Sequence, residues 1–178
     1  AGTRTVSFLQ HWMAGVFLAA LVLPGSGVNT AACAADVNVV DDRGMRLSLT
    51  SPARRIVALA PSITELVFAA GAGDKLIGVA RFSDYPAAAK AIAQIGDASR
   101  IDIERVLSLM PDLLIGWRSG NHAADIERLE QLGFRVYVAE PATLAAIPRL
   151  LRVFGAMADT HTVAKQAAAS FEAGIAAL

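Results

Sequence analysis

Residues 112–121 read DLLIGWRSGN, an apolar run that ends in a tryptophan and an arginine and then turns at once through Ser119, Gly120 and Asn121. Residues 112–116 have the composition of a strand without a polar face. Such a strand is covered on both sides, as in a parallel sheet enclosed by helices. Its carboxyl end opens into a loop, and in open parallel sheets ligands gather in the crevice beyond those ends. Trp117 and Arg118 stand there. Taken alone they fit two readings, a rim core residue beside a solvated charge or a pair of ligand contacts, because placement in a fold is not yet a site.

The neighbouring sequence repeats the pattern. RIVALA (55–60) reads as a strand and PSITELVFAAG (61–71) as a helix, with Ser62 and Glu65 spaced as a capping box, Pro61 ahead of it and Gly71 as its stop. Then come LIGVA (76–80), the polar loop RFSDYP (81–86), a helix over about 102–110, the strand above, a helix over about 123–132 and RVYVA (135–139). Parallel neighbours need crossover connections, and these helices supply them. The expectation is an α/β fold, a mostly parallel sheet flanked by helices in a Rossmann-like lobe over 54–142. Ahead of it, VNVVDDRGMRLSL (37–49) alternates around Asp42, Arg43 and Gly44 as a hairpin, so 36–53 is set apart as an amino-terminal segment. After Glu140 and Pro141 two helical stretches follow, over about 144–156 and 161–178.

The chain has 178 residues, room for one sizeable core, and its 16 basic and 16 acidic residues cancel, which argues against a polyanionic partner such as nucleic acid. Residues 1–35 read as a secretory signal peptide: Arg4 precedes an 11-residue apolar stretch (13–23), shorter than the roughly 20 residues that span a bilayer. Small residues at Ala32, Ala34 and Ala35 set the expected cleavage after Ala34 or Ala35. Cys33 is the one cysteine, and the three residues before it lack the Leu that leads a lipobox, so a lipid anchor there is the lesser expectation. An exported, periplasmic protein without disulfides follows.

Several chemistries are excluded on pattern. Gly71 and Gly73 close a helix and lead into a strand, the reverse of a dinucleotide fingerprint, and the chain carries no phosphate-cradling GxxxxGK[ST] loop. His122 and His161 lie on different elements without paired spacing, a poor metal site. No GxSxG elbow occurs and Ser62, Ser83, Ser99 and Ser119 have no histidine placed to activate them, so no catalytic residue, metal or resident cofactor is expected.

If the four strands run parallel, one edge collects Pro61 and Ser62, then Phe82, Asp84 and Tyr85, then Trp117, Arg118 and Asn121, then Glu140 and Pro141. Three aromatics with a few polar groups suit a large planar or amphipathic molecule. Phe82 and Tyr85 could equally plug the sheet edge, although loops at such rims disproportionately carry function.

The stretch RIVALAPSITELVFAAGAGDKLIGVARFSDYPAAAKAIAQIGD, followed by IDIERVLSLMPDLLIGWRSGN, resembles the amino-terminal lobe of the cobalamin (vitamin B12) substrate-binding proteins of ABC importers. These belong to a class whose two lobes are joined by one long helix, shared with haem and ferric-siderophore binders. LxPSxTE, AAG and ALxPDLxI-like segments mark the wider class; SDYP and WRSGN point to the cobalamin branch. The resemblance implies that Pro61, Phe82 and Trp117 line a ligand cleft with Tyr85 and Arg118 close by, and that Glu104 docks onto an arginine of the membrane permease. It implies capture of cobalamin, as cargo rather than cofactor, and delivery to a permease and ATPase complex by a protein that is monomeric when complete. The family's usual tyrosine is replaced by Phe82, which keeps a stacking face and loses a hydroxyl, and a tryptophan that such proteins can carry near Ala98 is absent. Residues 143–178 are expected to lead into the interlobe helix, with the second lobe lying outside this sequence. A haem binder, with Tyr85 as the axial candidate, or a siderophore binder, using Arg81 and Arg118, is the alternative within the class.

Overall fold

A computed structural model describes residues 36–178; the expected leader, its cleavage positions and Cys33 lie outside the described residues. Within them the elements are β1 (Val37–Val40), β2 (Arg46–Leu49), β3 (Ile56–Ala58), α1 (Pro61–Ala69), β4 (Leu76–Val79), β5 (Gly96–Asp97), β6 (Arg100–Ile101), α2 (Ile103–Leu109), β7 (Leu113–Trp117), α3 (Ala123–Gln131), β8 (Val136–Ala139), α4 (Ala146–Ala158) and α5 (His161–Ala176).

Four strands form one parallel sheet in the order β4-β3-β7-β8. The strand period of two divides β7 between two cores. Leu113 and Ile115, with Ile56, Ala58 and Tyr137, pack under α1, α4 and α5. Leu114, with Val57, Leu59, Val136 and Val138, packs under α2 and α3. Residues 113–116 are buried throughout, which is why the run carries no polar face. Each fully buried Leu or Ile contributes about 2 kcal/mol of apolar transfer. In the first core the Tyr137 ring meets Phe154 edge-on at 5.9 Å between centroids. Gly155 lets α5 approach α4 closely, since a Cβ there would lie 2.2 Å from that of Ala164.

The hairpin β1/β2 is antiparallel, with Val37 opposite Leu49, and its turn is organised by a residue outside the expected trio. The buried Asp41 carboxylate accepts bonds from the backbone N–H groups of Arg43 and Met45, each at 2.9 Å. The hairpin is also stitched to the sheet: the Asp42 N–H donates to Val138 O at 2.9 Å. The segment set apart in the sequence reading thus packs on the end of β8.

The capping box does not form. Ala60, extended, is the N-cap of α1 and makes no side-chain cap, while Pro61 takes the first helical position. Proline there removes one orphan N–H and presets the helical φ, so the helix begins before Ser62 can cap it. Ser62 Oγ is buried and, among the described residues, has no hydrogen-bond partner. A side-chain cap does open α2, where Asp102 accepts from the Arg105 N–H at 2.9 Å.

Residues 86–101 carry no periodic pattern, yet they are ordered: a 3-10 turn over Ala87–Ala91, a bridge between Val79 and Gln94, and the short antiparallel pair β5/β6. Backbone bonds of this kind leave little trace in side-chain hydropathy.

Candidate functional site

Because the four strands are parallel, their carboxyl ends share one edge of the sheet. From β4 emerges a loop over 80–86, from β3 the Ala60–Pro61 entry to α1, from β7 the 117–121 turn, and from β8 Glu140 and Pro141.

The β4 loop carries two exposed aromatics on one buried anchor. Phe82 and Tyr85 are 68% and 70% exposed, while Ser83 between them is buried. The Ser83 and Thr64 hydroxyls share a hydrogen bond at 3.0 Å, and Thr64 Oγ1 also donates to Ala60 O at 3.2 Å, which ties the loop to α1. Phe82 adopts φ 68°, the left-handed region that bulky side chains seldom occupy. Such a residue is held there by its surroundings, and strain of this kind clusters at functional sites.

The β7 turn answers why a Ser-Gly-Asn sequence must follow the tryptophan. Trp117 is half-buried against the first core, and its indole lies over Gly120, where a Cβ would sit 1.9 Å from Cε3. No residue with a side chain fits that position without moving the ring. Asn121 is buried and fully engaged: Oδ1 accepts from the Trp117 N–H at 2.7 Å, and Nδ2 donates to Leu59 O at 2.9 Å and Ala98 O at 2.7 Å. It joins three loops, so it is a structural clamp rather than the polar rim contact its place in the sequence suggested. The edge of the indole is fixed as well. Trp117 Nε1 donates to Glu140 Oε1 at 3.3 Å, and Ser119 Oγ donates to the same oxygen at 3.1 Å. Glu140 in turn is held by its own backbone, whose N–H donates to Asp42 Oδ2 at 2.6 Å.

Arg118 parts from this group. One residue beyond Trp117, it points toward the α3 side of the sheet, where Nη1 donates to Asp42 O at 2.9 Å. There it lines a concavity of ≈ 340 Å³ with Arg43, Asn121 and Glu127. Pro61, Phe82, Tyr85 and Trp117 are therefore set by loops of one edge, with Arg118 directed away from them. Glu104 is exposed in the first turn of α2, beside a concavity of ≈ 480 Å³ shared with Arg81, Asp97, Arg100 and Asp102. The crossover topology starts α2 at the carboxyl end of the sheet, so Glu104 lies at the same end of the molecule, in one concavity with Arg81 of the β4 loop.

Burial, reinforced by the nearby Asp42 charge, pushes the Tyr137 phenol up to about 12. Its hydroxyl is buried and, among the described residues, lacks a hydrogen-bond partner of good geometry. Among the same residues no group of three or more His, Cys, Asp or Glu side chains is placed to hold a metal ion.

Comparison with known proteins finds that a family model described as "Periplasmic binding protein" matches residues 56–178. A vitamin B12-binding protein of Vibrio campbellii is 41% identical over 127 residues, which are 71% of this chain and 46% of that protein. The crystal structure of the periplasmic vitamin B12 binding protein BtuF of Vibrio cholerae superposes with a TM-score of 0.66 at 38% identity, over 68% of this chain and 48% of that one. A periplasmic haem-binding protein from Pseudomonas aeruginosa superposes with a TM-score of 0.64 at 30% identity, over 68% of this chain and 44% of that one. The chain spans less than half the length of these relatives.

Proposed function

Because the chain belongs to the periplasmic binding protein family, we propose that it contributes one wall of a cobalamin-binding cleft in a protein that captures the corrinoid outside the inner membrane and passes it to an ABC import permease. The observation that carries this reading is the edge on which Pro61, Phe82, Tyr85 and Trp117 are presented: a large flat macrocycle needs apolar faces on which to lie, and two of those faces stand exposed. The identity to vitamin B12-binding proteins supports the choice of ligand. A binding role fits this edge better than catalysis, since its side chains are aromatic rather than nucleophilic or paired acid and base.

Haem is the second reading, favoured by the haem-binding neighbour and by the exposed phenol of Tyr85, a competent axial ligand. Calorimetric titration of the two-lobed protein that carries this wall with cyanocobalamin and with haemin separates the two. Cobalamin binding with weaker haemin binding is expected; the reverse order overturns the proposal.

Delivery to the permease rests on Glu104, whose exposed carboxylate can orient a basic partner without touching the ligand edge. Glu104→Ala is expected to leave cobalamin affinity unchanged and to reduce uptake in cells that carry the matching permease. Unaltered uptake would make Glu104 a surface charge only. The export signal proposed for residues 1–35 is tested by amino-terminal sequencing of the secreted product.

A further inference from the structure

Vitamin B12-binding and haem-binding proteins match this chain with nearly equal TM-scores, 0.66 and 0.64, so the fold does not choose between the two macrocycles. Their peripheries differ in charge. Corrin side chains end largely in neutral carboxamides, which donate N–H bonds, whereas haem carries two propionates that are ionised at neutral pH. A group that chooses must therefore read charge at the rim of the ring.

We propose that Glu140 is that group: it positions the Trp117 indole and presents a fixed negative charge that accepts carboxamide N–H bonds and repels propionates. This rests on the cobalamin reading given above. Three observations support it. Both hydrogen bonds to the Glu140 side chain, from Trp117 Nε1 and Ser119 Oγ, fall on Oε1, which leaves Oε2, among the described residues, without a donor. The carboxylate is held by those two bonds, and the backbone that carries it is anchored through its N–H on Asp42 Oδ2 at 2.6 Å. Two cations around Asp42 are engaged by that residue: Arg118 donates to its carbonyl, and Arg149 pairs with its carboxylate at 2.9 Å. The β4 loop adds no net charge of its own, since the exposed Asp84 is matched by the exposed Arg81. An ionised carboxylate only accepts hydrogen bonds, so it suits an amide donor and leaves a propionate facing like charge, the repulsive element that selectivity needs.

The test is the ratio of haemin to cyanocobalamin affinity, measured by equilibrium titration of the purified two-lobed protein. Glu140→Gln keeps an acceptor for Trp117 and Ser119 and removes the charge. It is expected to strengthen haemin binding on the order of tenfold, the effect of one partly screened charge at close range, and to weaken cyanocobalamin a few-fold. Glu127→Gln, on the α3 side, should leave the ratio alone. A second measurement needs no variant: in the two-lobed parent protein the dimethyl ester of haemin, whose propionates are neutral, should bind on the order of tenfold more tightly than haemin itself. A ratio unmoved within about twofold by Glu140→Gln, or an ester that binds like the acid, overturns the role of Glu140 while leaving cobalamin binding intact. A two-lobed parent protein that ignores cobalamin overturns the functional reading, and this inference with it.

Discussion

Phe82 and Tyr85 leave the end of β4 with 68% and 70% of their surface in solvent, whereas Trp117, two strands away on the same edge, is half-buried and engaged by Gly120, Asn121 and Glu140. The three rings offer a ligand similar chemistry under different restraint. Trp117 has surrendered its freedom on folding, so little ordering entropy remains to be lost when a ligand arrives. Phe82 and Tyr85 rest on a loop tied to α1 by one side-chain hydrogen bond, Ser83 to Thr64, and still have rotamers to lose. One side of the edge is thus pre-ordered and the other adaptable, a division that the proposed cobalamin capture would use.

Substitutions that move one half and spare the other can break this comparison. The largest effect is expected at Asn121. Asn121→Ala strips partners from Leu59 O, Ala98 O and the Trp117 N–H together, each a group that is costly to leave unpaired, and should lower stability by about 3 kcal/mol in a urea titration. A loss under about 1 kcal/mol would mean that water replaces the clamp.

Aromatic truncations come next. Trp117→Ala is expected to weaken cobalamin binding by about 1–3 kcal/mol and also to destabilise the fold, because the indole belongs to the core. Phe82→Ala should weaken binding by a similar amount while changing unfolding free energy by under about 0.5 kcal/mol, as befits an exposed side chain. Titration and unfolding of the same two variants show whether the division between a structural and a free aromatic is real. Ser83→Ala is smaller: loss of one buried hydrogen bond should cost about 1 kcal/mol and raise hydrogen exchange in the β4 loop without touching the 117–121 turn.

The smallest effect at neutral pH is expected beneath the Trp117 half, at Tyr137. Its buried hydroxyl lacks a well-formed bond, so Tyr137→Phe should alter stability by less than about 1 kcal/mol at pH 7. Alkaline solution separates the two proteins. The phenol titrates near 10 when unfolded and at about 12 when folded, so its contribution is present below pH 10 and is lost as pH rises through 12. Between those values the parent should lose stability faster than Tyr137→Phe, as urea midpoints across the range will show; parallel curves would place the phenol in contact with water.

Much of the fold was legible in the chain because burial on both faces leaves a plain mark. Residues 113–116, 56–60 and 136–139 are apolar at consecutive positions, a pattern suited to central parallel strands, and the gaps between them are helix-length. From strands of one direction the shared edge followed, and with it the grouping of Pro61, Phe82, Tyr85 and Trp117. The shared edge that carries the aromatics was therefore visible as soon as the sheet was parallel, while their ligand role and that of Glu104 entered through resemblance, since an exposed helix glutamate has no distinguishing local pattern.

Tertiary structure decided what lies off the strand period. Whether Ser62 caps α1 depended on where Pro61 starts the helix, which the spacing of a capping box does not encode. Arg118 is adjacent to Trp117 in sequence and points to the opposite side of the sheet, because alternate residues of an extended chain face opposite ways and only the location of Asp42 shows which side gains a partner. Asn121 and Glu140 are ordinary polar residues until folding brings Leu59, Ala98 and the indole edge within hydrogen-bond reach. The sequence by itself determined which segments bury both faces, a property summed over short runs. Apart from the local bond between Trp117 and Asn121, the anchors of this edge arise from single contacts across 19 to 98 positions of the chain, a range over which local composition carries no signal.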